Sequence, residues 1–260
     1  MYNSGLNEFT DFTGRSVVVT GASGVVGEGI AKRFAEAGAY VFIHYRSGES
    51  KASALQSEIR ELGGQAKIVQ ADVSKKVEVK AMFKEVASET GSIDILINNA
   101  GNYPLSSIID MDEEEWDSVI NSNLRSTFLC TQAVIHYMQQ GNGGSIVNIS
   151  SIEAQSPTPL HSHYCAAKSG VIMFTRTSAN ELGQHNIRCN VVLPGLIWRE
   201  GIEQQWPEGV EGWQKAAPLT RLGRALDVAN ACMFLSSDAA DWISGAELRV
   251  DGGVLSNKAF

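Results

Sequence analysis

Seven short apolar, β-branched runs alternate with longer stretches of helical period, and this alternation limits the possible folds more than any other feature. The runs are SVVVT (16–20), YVFIHY (40–45), AKIVQ (66–70), SIDILIN (92–98), GSIVNIS (144–150), IRCNVVL (187–193) and AELRV (246–250). Helical stretches fall near 25–37, 50–62, 75–89, 112–139, 162–183 and 226–237. Short apolar runs separated by helices fit strands buried on both faces of a parallel sheet. Seven of them in β-α alternation predict an α/β fold, a doubly wound seven-stranded parallel sheet with helices on both faces. At 260 residues the chain can bury one large core, so 1–260 reads as a single domain. One interruption stands out. Residues 194–225 hold three of the five tryptophans and half of the six prolines, which predicts a flap over a site.

A net charge of −8 argues against nucleic acid or an anionic membrane as partner. The four cysteines, Cys130, Cys165, Cys189 and Cys232, are scattered, with no C-x-x-C and no cluster of ligands for a metal. They read as reduced thiols of a cytoplasmic protein. No apolar run approaches the roughly 20 residues needed to span a bilayer.

The first strand runs into T20-G21-A22-S23-G24-V25-V26-G27 and then a helix. A glycine-rich turn at this junction lets backbone N–H groups approach a pyrophosphate, which the helix N-terminus also attracts. Gly21, Ser23, Gly24, Val26 and Gly27 are therefore candidate dinucleotide contacts. Asp72 and Val73 close the third strand, and Asn99, Ala100 and Gly101 follow the fourth. Ligands of such sheets bind beyond the carboxyl ends of the strands, so these pieces line one crevice, with the Asp72 carboxylate facing an adenine amino group. The second strand ends His44-Tyr45-Arg46-Ser47 rather than in an acidic residue. Arg46 there suits a 2′-phosphate, which favours NADP(H) over NAD(H), with NAD(H) still possible.

In "HYCAAKSG" (163–170), Tyr164 precedes Lys168 by four residues. On a helix the two share a face, and a neighbouring cation lowers a phenol's pKa from about 10 towards a usable acid/base range.

Together with Ser151, thirteen residues before Tyr164, these motifs resemble the short-chain dehydrogenase/reductase family over nearly the whole chain, about Gly14 to Gly253. Asn123 in "INSNLRSTF" and the closing RVDGG (249–253) match as well. The resemblance implies a single-domain Rossmann fold and a catalytic set of Asn123, Ser151, Tyr164 and Lys168. Tyr164 would be the acid/base and Ser151 would hold the substrate oxygen. Lys168 would tune Tyr164 and bind the nicotinamide ribose, and Asn123 would anchor a water in a proton relay. Hydride would pass directly between nicotinamide and substrate, so no metal is needed. Tyr45, Arg46, Ser47, Pro194, Gly195 and Ile197 complete the expected cofactor contacts, and a homotetramer is the expected assembly.

Three positions depart from the family pattern. The turn reads TGxxGxxG, with Val25 where a glycine is usual. Arg199 stands where a threonine often meets the nicotinamide carboxamide, and Cys165 stands beside Tyr164.

Substrate-facing segments are expected at 102–106, 152–163 and 194–217, with Ser151, Glu153, His161, Tyr164 and Trp198 as contacts. Polar groups among aromatic faces suit a small alcohol or ketone: a sugar, a polyol or a ring ketone. The alternatives are a 3-ketoacyl-carrier-protein reductase, an epimerase-like member that retains its cofactor, and a non-catalytic redox sensor. The helix regions "AVIHYMQQGNGG" and "TSANELGQHN" lack the basic residues that would dock an acidic carrier.

Overall fold

The computed structural model describes residues 10–256. Its sheet has seven parallel strands: β1 (Ser16–Val19), β2 (Tyr40–Tyr45), β3 (Gln65–Gln70), β4 (Ile95–Asn98), β5 (Gly144–Ile149), β6 (Ile187–Pro194) and β7 (Glu247–Val250). Their spatial order is β3-β2-β1-β4-β5-β6-β7. The chain builds outward from β1 to β3 and then returns to lay β4 on the other side of β1. That reversal leaves a crevice beyond the carboxyl ends of β1 and β4, in register through Val19 and Ile97.

Successive strand residues face opposite layers, because side chains alternate across a sheet. Val17 and Val19 pack with Ile30, Phe34, Val41, Ile43 and Val228 on one face. Val18 packs with Phe42, Met82, Phe83, Leu96 and Val134 on the other. The first layer is built by α1 (Val25–Glu36), α2 (Glu49–Glu61) and, further along, Ala225–Ser236. The second is built by α3 (Lys76–Thr90) and the helices that follow β4 and β5.

The helix expected over 112–139 is not continuous. Asp112 caps α4 (Glu113–Ile120), its carboxylate accepting the Glu115 N–H at 2.7 Å. A π-helical turn then spans Asn121–Arg125 before α5 (Ser126–Gln140) resumes, with the Ser126 N–H reaching back to the Asn121 carbonyl. One extra residue is thus wound into the helix at Asn123. α6 (Ser162–Leu182) carries Tyr164 and Lys168 near its start.

The 194–225 insertion folds into two short helices, α7 (Ile202–Gln205) and α8 (Pro207–Ala216). Ile202, Val210 and Leu222 form a small core of their own with Leu196 and Trp213 against it. Gly223 N–H bonds the Leu196 carbonyl and closes the insertion at its base. The last long helix, α9 (Ala225–Ser236), follows directly. Among the described residues no helix is long and apolar enough to cross a membrane, and no cluster of three or more His, Cys, Asp or Glu residues could hold a metal.

Candidate active site

The glycine turn is a compact backbone knot at the end of β1. Gly21 has φ +63°, a conformation side chains resist, and an added Cβ would lie 2.9 Å from Ala100 Cα. A Cβ on Gly27 would come within 2.5 Å of the Gly21 carbonyl oxygen, so α1 starts hard against the turn. Thr20 Oγ1 accepts both the Asn99 and Ala100 N–H groups, at 2.9 and 3.0 Å. The Asn99 amide donates to the carbonyls of Thr20 and Gly21. Asn99 and Ala100 therefore act first on the turn, spanning the crevice from β4 to β1. At the start of α1, Val25, Val26 and Gly27 present first-turn N–H groups of the kind that lack intrahelical acceptors. This cradle, which side chains would fill, fits a pyrophosphate. Gly24 and Val25 are exposed and Ser23 is half-buried, so the changed glycine spacing leaves the mouth of the turn open.

Around the adenosine end, Arg46 and Ser47 are exposed at the tip of β2. The Asp72 carboxylate accepts from Ser74 N–H and Oγ–H and lies 3.6 Å from Lys75 Nζ. Burial acts to raise its pKa, but these partners, with Arg46 beside them, hold it below the usual value. Part of its accepting capacity is therefore committed within its own turn. Two expected contacts are corrected. Tyr45 and Val73 are buried in the apolar layers on the two faces of the sheet, so their side chains serve the core and only their backbones border the crevice. Pro194 is buried at the end of β6, and a Cβ on Gly195 would strike the Trp213 ring at 2.4 Å. Ile197 bridges to Gly223 at the base of the insertion.

The reaction end gathers Asn123, Ser151, Tyr164 and Lys168. Ser151 stands close enough to the Tyr164 hydroxyl to favour its ionisation, and its Oγ accepts the Glu153 N–H at 3.1 Å. Lys168 Nζ lies 5.6 Å from the centre of the Tyr164 ring and donates to the Ile149 carbonyl at 2.8 Å. The π turn aims Asn123 inward, where its amide donates to the Asn102 and Val119 carbonyls at 2.9 and 3.0 Å. Its Oδ1 is buried with no hydrogen-bond partner. Gly101 separates Asn123 from Lys168: a Cβ there would meet Asn123 Oδ1 at 2.3 Å and Lys168 Nζ at 3.6 Å.

The expected tuning of Tyr164 by Lys168 works against burial. Burial pushes the phenol above its ordinary value. Ser151 opposes that shift, and the Glu153 charge adds to it. Lys168 Nζ faces the ring at 5.6 Å. The lysine is itself buried, and burial brings its ammonium down to about 8. Its ammonium, hydrogen-bonded to a carbonyl, thus gives up a proton more readily than a surface lysine's.

Beside Tyr164, His161 Nδ1 is 2.8 Å from Glu153 Oε2, and the His161 and Tyr164 rings are 5.7 Å apart. Tyr103 stands 5.9 Å from Tyr164 on another side. Trp198 is a further correction. It is half-exposed and lines a groove with Val25, Gly29, Lys32 and Leu226, and this groove has no residue in common with the Ser151–Tyr164 group. A tryptophan just past the bridge at Ile197 is carried outward over α1.

Sequence reasoning gave no role to Thr20, His44 or Asn98, and reached Tyr103 and His163 only as members of the segments 102–106 and 152–163. His163 is fully buried and its Nδ1 accepts the Tyr164 N–H at 2.9 Å. Asn98 and Asn148 bond one another across β4 and β5, and reach Thr131 and Thr175 in the flanking helices. A polar residue inside an apolar strand run was the available signal for these buried groups.

Residues 21–255 match the family described as enoyl-(acyl carrier protein) reductase. Over 240 residues the chain is 39% identical to a 3-oxoacyl-[acyl-carrier-protein] reductase of Staphylococcus epidermidis, covering 92% of this chain and 98% of that one. The corresponding reductase of Chlamydia trachomatis is also 39% identical over 240 residues, covering 92% and 97%. Among solved structures, a protein of Sinorhizobium meliloti assigned as a short-chain alcohol dehydrogenase superposes with TM-score 0.91 at 34% identity, covering 96% of this chain and 100% of that one. One of Agrobacterium tumefaciens assigned as a gluconate dehydrogenase gives 0.91 at 31%, covering 96% and 99%. Fold and site define a nicotinamide-dependent oxidoreductase acting on CH–OH groups. The chain belongs to the short-chain dehydrogenase/reductase family.

Proposed function

We propose that the protein interconverts a ketone and a secondary alcohol with a preference for NADP(H), and that 3-oxoacyl thioesters are its first substrate class. The observation that carries the chemistry is the buried Lys168 ammonium 5.6 Å from the centre of the Tyr164 ring, with Ser151 beside the phenol. In reduction, Tyr164 gives its hydroxyl proton to the substrate oxygen while Ser151 holds that oxygen with a second O–H. When bound, the nicotinamide supplies hydride to the carbon or takes it back. Lys168, with its ammonium near 8, keeps a proton close to Tyr164 at neutral pH and is placed to renew the one Tyr164 gives up. Asn123 Oδ1, buried and unpartnered on the other side of Gly101, is an acceptor for the same relay. Arg46, exposed at the tip of β2 where an acidic residue would select NAD(H), supports NADP(H).

The substrate class rests on the relatives, which favour the oxoacyl reading over the sugar or polyol expected from the sequence. A polar or ring ketone is kept as a second reading on one observation: the Glu153–His161 pair stands beside Tyr164, where an acyl chain offers it no partner. Sheet-end and helix surfaces carrying Phe128, Met173, Phe234 and Trp242 support a homotetramer, and the acidic surface without a membrane-crossing helix supports a cytoplasmic enzyme. The test follows the absorbance of NADPH and NADH with 3-oxoacyl thioesters, free and carrier-bound, against ketoses and ring ketones. Turnover of the thioesters above all others supports the first class. Turnover confined to polar or ring ketones replaces it with the second, and no turnover of any ketone overturns both.

A further inference from the structure

His44 is the one polar side chain inside the run YVFIHY, and the site chemistry above does not use it. It is 2% exposed, at the carboxyl end of β2 directly under the glycine turn. Its ring is held at both nitrogens. Nδ1 lies 2.9 Å from the Gly21 backbone N–H, and Nε2 lies 2.9 Å from the Ala71 carbonyl oxygen. An amide N–H can only donate and a carbonyl can only accept, so the ring must accept at Nδ1 and donate from Nε2. Only the neutral Nε2–H tautomer satisfies both. The His44 carbonyl also accepts the Ala22 N–H at 3.0 Å, so two successive amides of the turn are fixed by this one residue.

We propose that His44 is a positioning residue for the dinucleotide: by accepting the Gly21 N–H it sets the shape of the pyrophosphate turn, and cofactor binding requires its imidazole to be neutral. The consequence for Gly21 is specific. Its N–H is turned inward to His44, so the turn's contacts to a phosphate come from later amides. Protonation would put an N–H at Nδ1 against the Gly21 N–H, leaving two donors face to face and the turn without its prop.

The surroundings oppose that protonation on balance. Burial lowers the pKa of the ring, while the bond to Ala71 and the Asp72 charge act in the other direction. Asp72 is in turn surrounded by Lys75, Glu78 and Arg46, with Glu78 Oε2 accepting its backbone N–H. Because the folded value is depressed, this contribution to stability is complete above the unfolded histidine value of about 6.5 and is lost as pH falls through the folded one.

The inference rests on the glycine turn holding the dinucleotide, and the experiment separates the two. Long-range ¹H–¹⁵N spectra of the wild-type imidazoles report tautomers without any substitution. His44 is expected to show a protonated Nε2 and a bare Nδ1 at neutral pH. Dissociation constants for NADPH and NADH are then measured by protein fluorescence across about pH 5 to 7.5, the range of histidine titration. NADH lacks the 2′-phosphate, so a pH dependence common to both nucleotides belongs to the protein. His44→Phe fills the space without an acceptor and is expected to weaken both nucleotides about tenfold, the effect of one lost hydrogen bond. His44→Asn places an oxygen where Nδ1 stands and cannot titrate. It is expected to recover most of that affinity and to abolish the acid limb of the pH profile. A ring protonated at Nδ1 at neutral pH, affinity that holds or tightens as His44 is protonated, or wild-type affinity in His44→Phe would each overturn the proposal. If no nucleotide binds at any pH, the dinucleotide assignment itself fails.

Discussion

The two ends of the crevice are finished differently. At the turn, Thr20, Gly21, His44, Asn99 and Ala100 satisfy one another with short hydrogen bonds, nearly all to backbone. At the reaction end, Asn123 Oδ1, His161 Nε2 and His163 Nε2 are buried without partners, and Lys168 is buried with one carbonyl acceptor. Buried polar atoms are normally paired. Among the described residues others lack hydrogen-bond partners at Asn98, Ser162 and Ser236, but the concentration on Asn123, His161 and His163 suits a site that other groups complete. The turn presents a shape that is ready before the ligand arrives. The reaction end leaves polar atoms open, and burial is the largest influence on its phenol and its ammonium.

The largest effect that tests this contrast is on catalysis. Tyr164→Phe is expected to lower kcat about a thousandfold or more while the dissociation constant for NADPH stays within about twofold, as suits a lost acid/base group. Nucleotide binding that fell with the activity would mean that the two ends are not separable.

Stability comes next, with opposite signs at the two ends. Lys168→Met removes a buried cation and is expected to be more stable than wild type at neutral pH, although inactive. The folded pKa of about 8 lies below the ordinary 10.5. The lysine's contribution is therefore complete above 10.5, is lost as pH falls through about 8, and below that the buried charge is a cost. Denaturant midpoints of the pair should thus converge by about 3 kcal/mol between those pH values. Thr20→Val leaves two amides of the turn without their acceptor and is expected to cost about 2–3 kcal/mol in the same assay. A stabilised Thr20→Val would remove the basis of the contrast.

The smallest expected effect is on cofactor choice. Arg46→Ala should reduce the NADPH-over-NADH preference in kcat/KM by about tenfold, one charge-assisted bond, leaving NADH turnover unchanged. An unchanged ratio would mean that the 2′-phosphate is held elsewhere.

Much of the fold was legible in the sequence, because its signals are periodic and local. The seven apolar runs became the seven strands within a few residues at each end, and helical spacing put Tyr164 and Lys168 on one face of α6. Ser151, Tyr164 and Lys168 could be grouped because spacing along one strand–loop–helix unit, β5 to α6, is preserved in space, whereas Asn123 comes from the π turn between α4 and α5. What escaped depended on long-range burial. The shifts of Tyr164 and Lys168 follow from the depth at which α6 sits, which spacing does not report. Thr20 and His44 act through partners at the ends of other strands, so neither has a local motif. Trp198 was expected at the substrate as part of the segment 194–217, and just past the bridge at Ile197 it lines a groove over α1. The apolar pattern of 112–139 passes smoothly through Asn123, which hides the change of winding there.

That change of winding gives a length change around Asn123 a consequence it would not have in the neighbouring helix turns. Elsewhere a deletion would turn one part of a helix by about 100° against the other, but here, where one extra residue is already wound in, it would restore regular winding with α4 and α5 near their places. α5 is fixed against the sheet by Leu129, Val134 and Met138, so the change would fall on Asn123 itself. A shortened chain could keep its sheet, its turn and its core, and still have withdrawn the amide from beside Lys168.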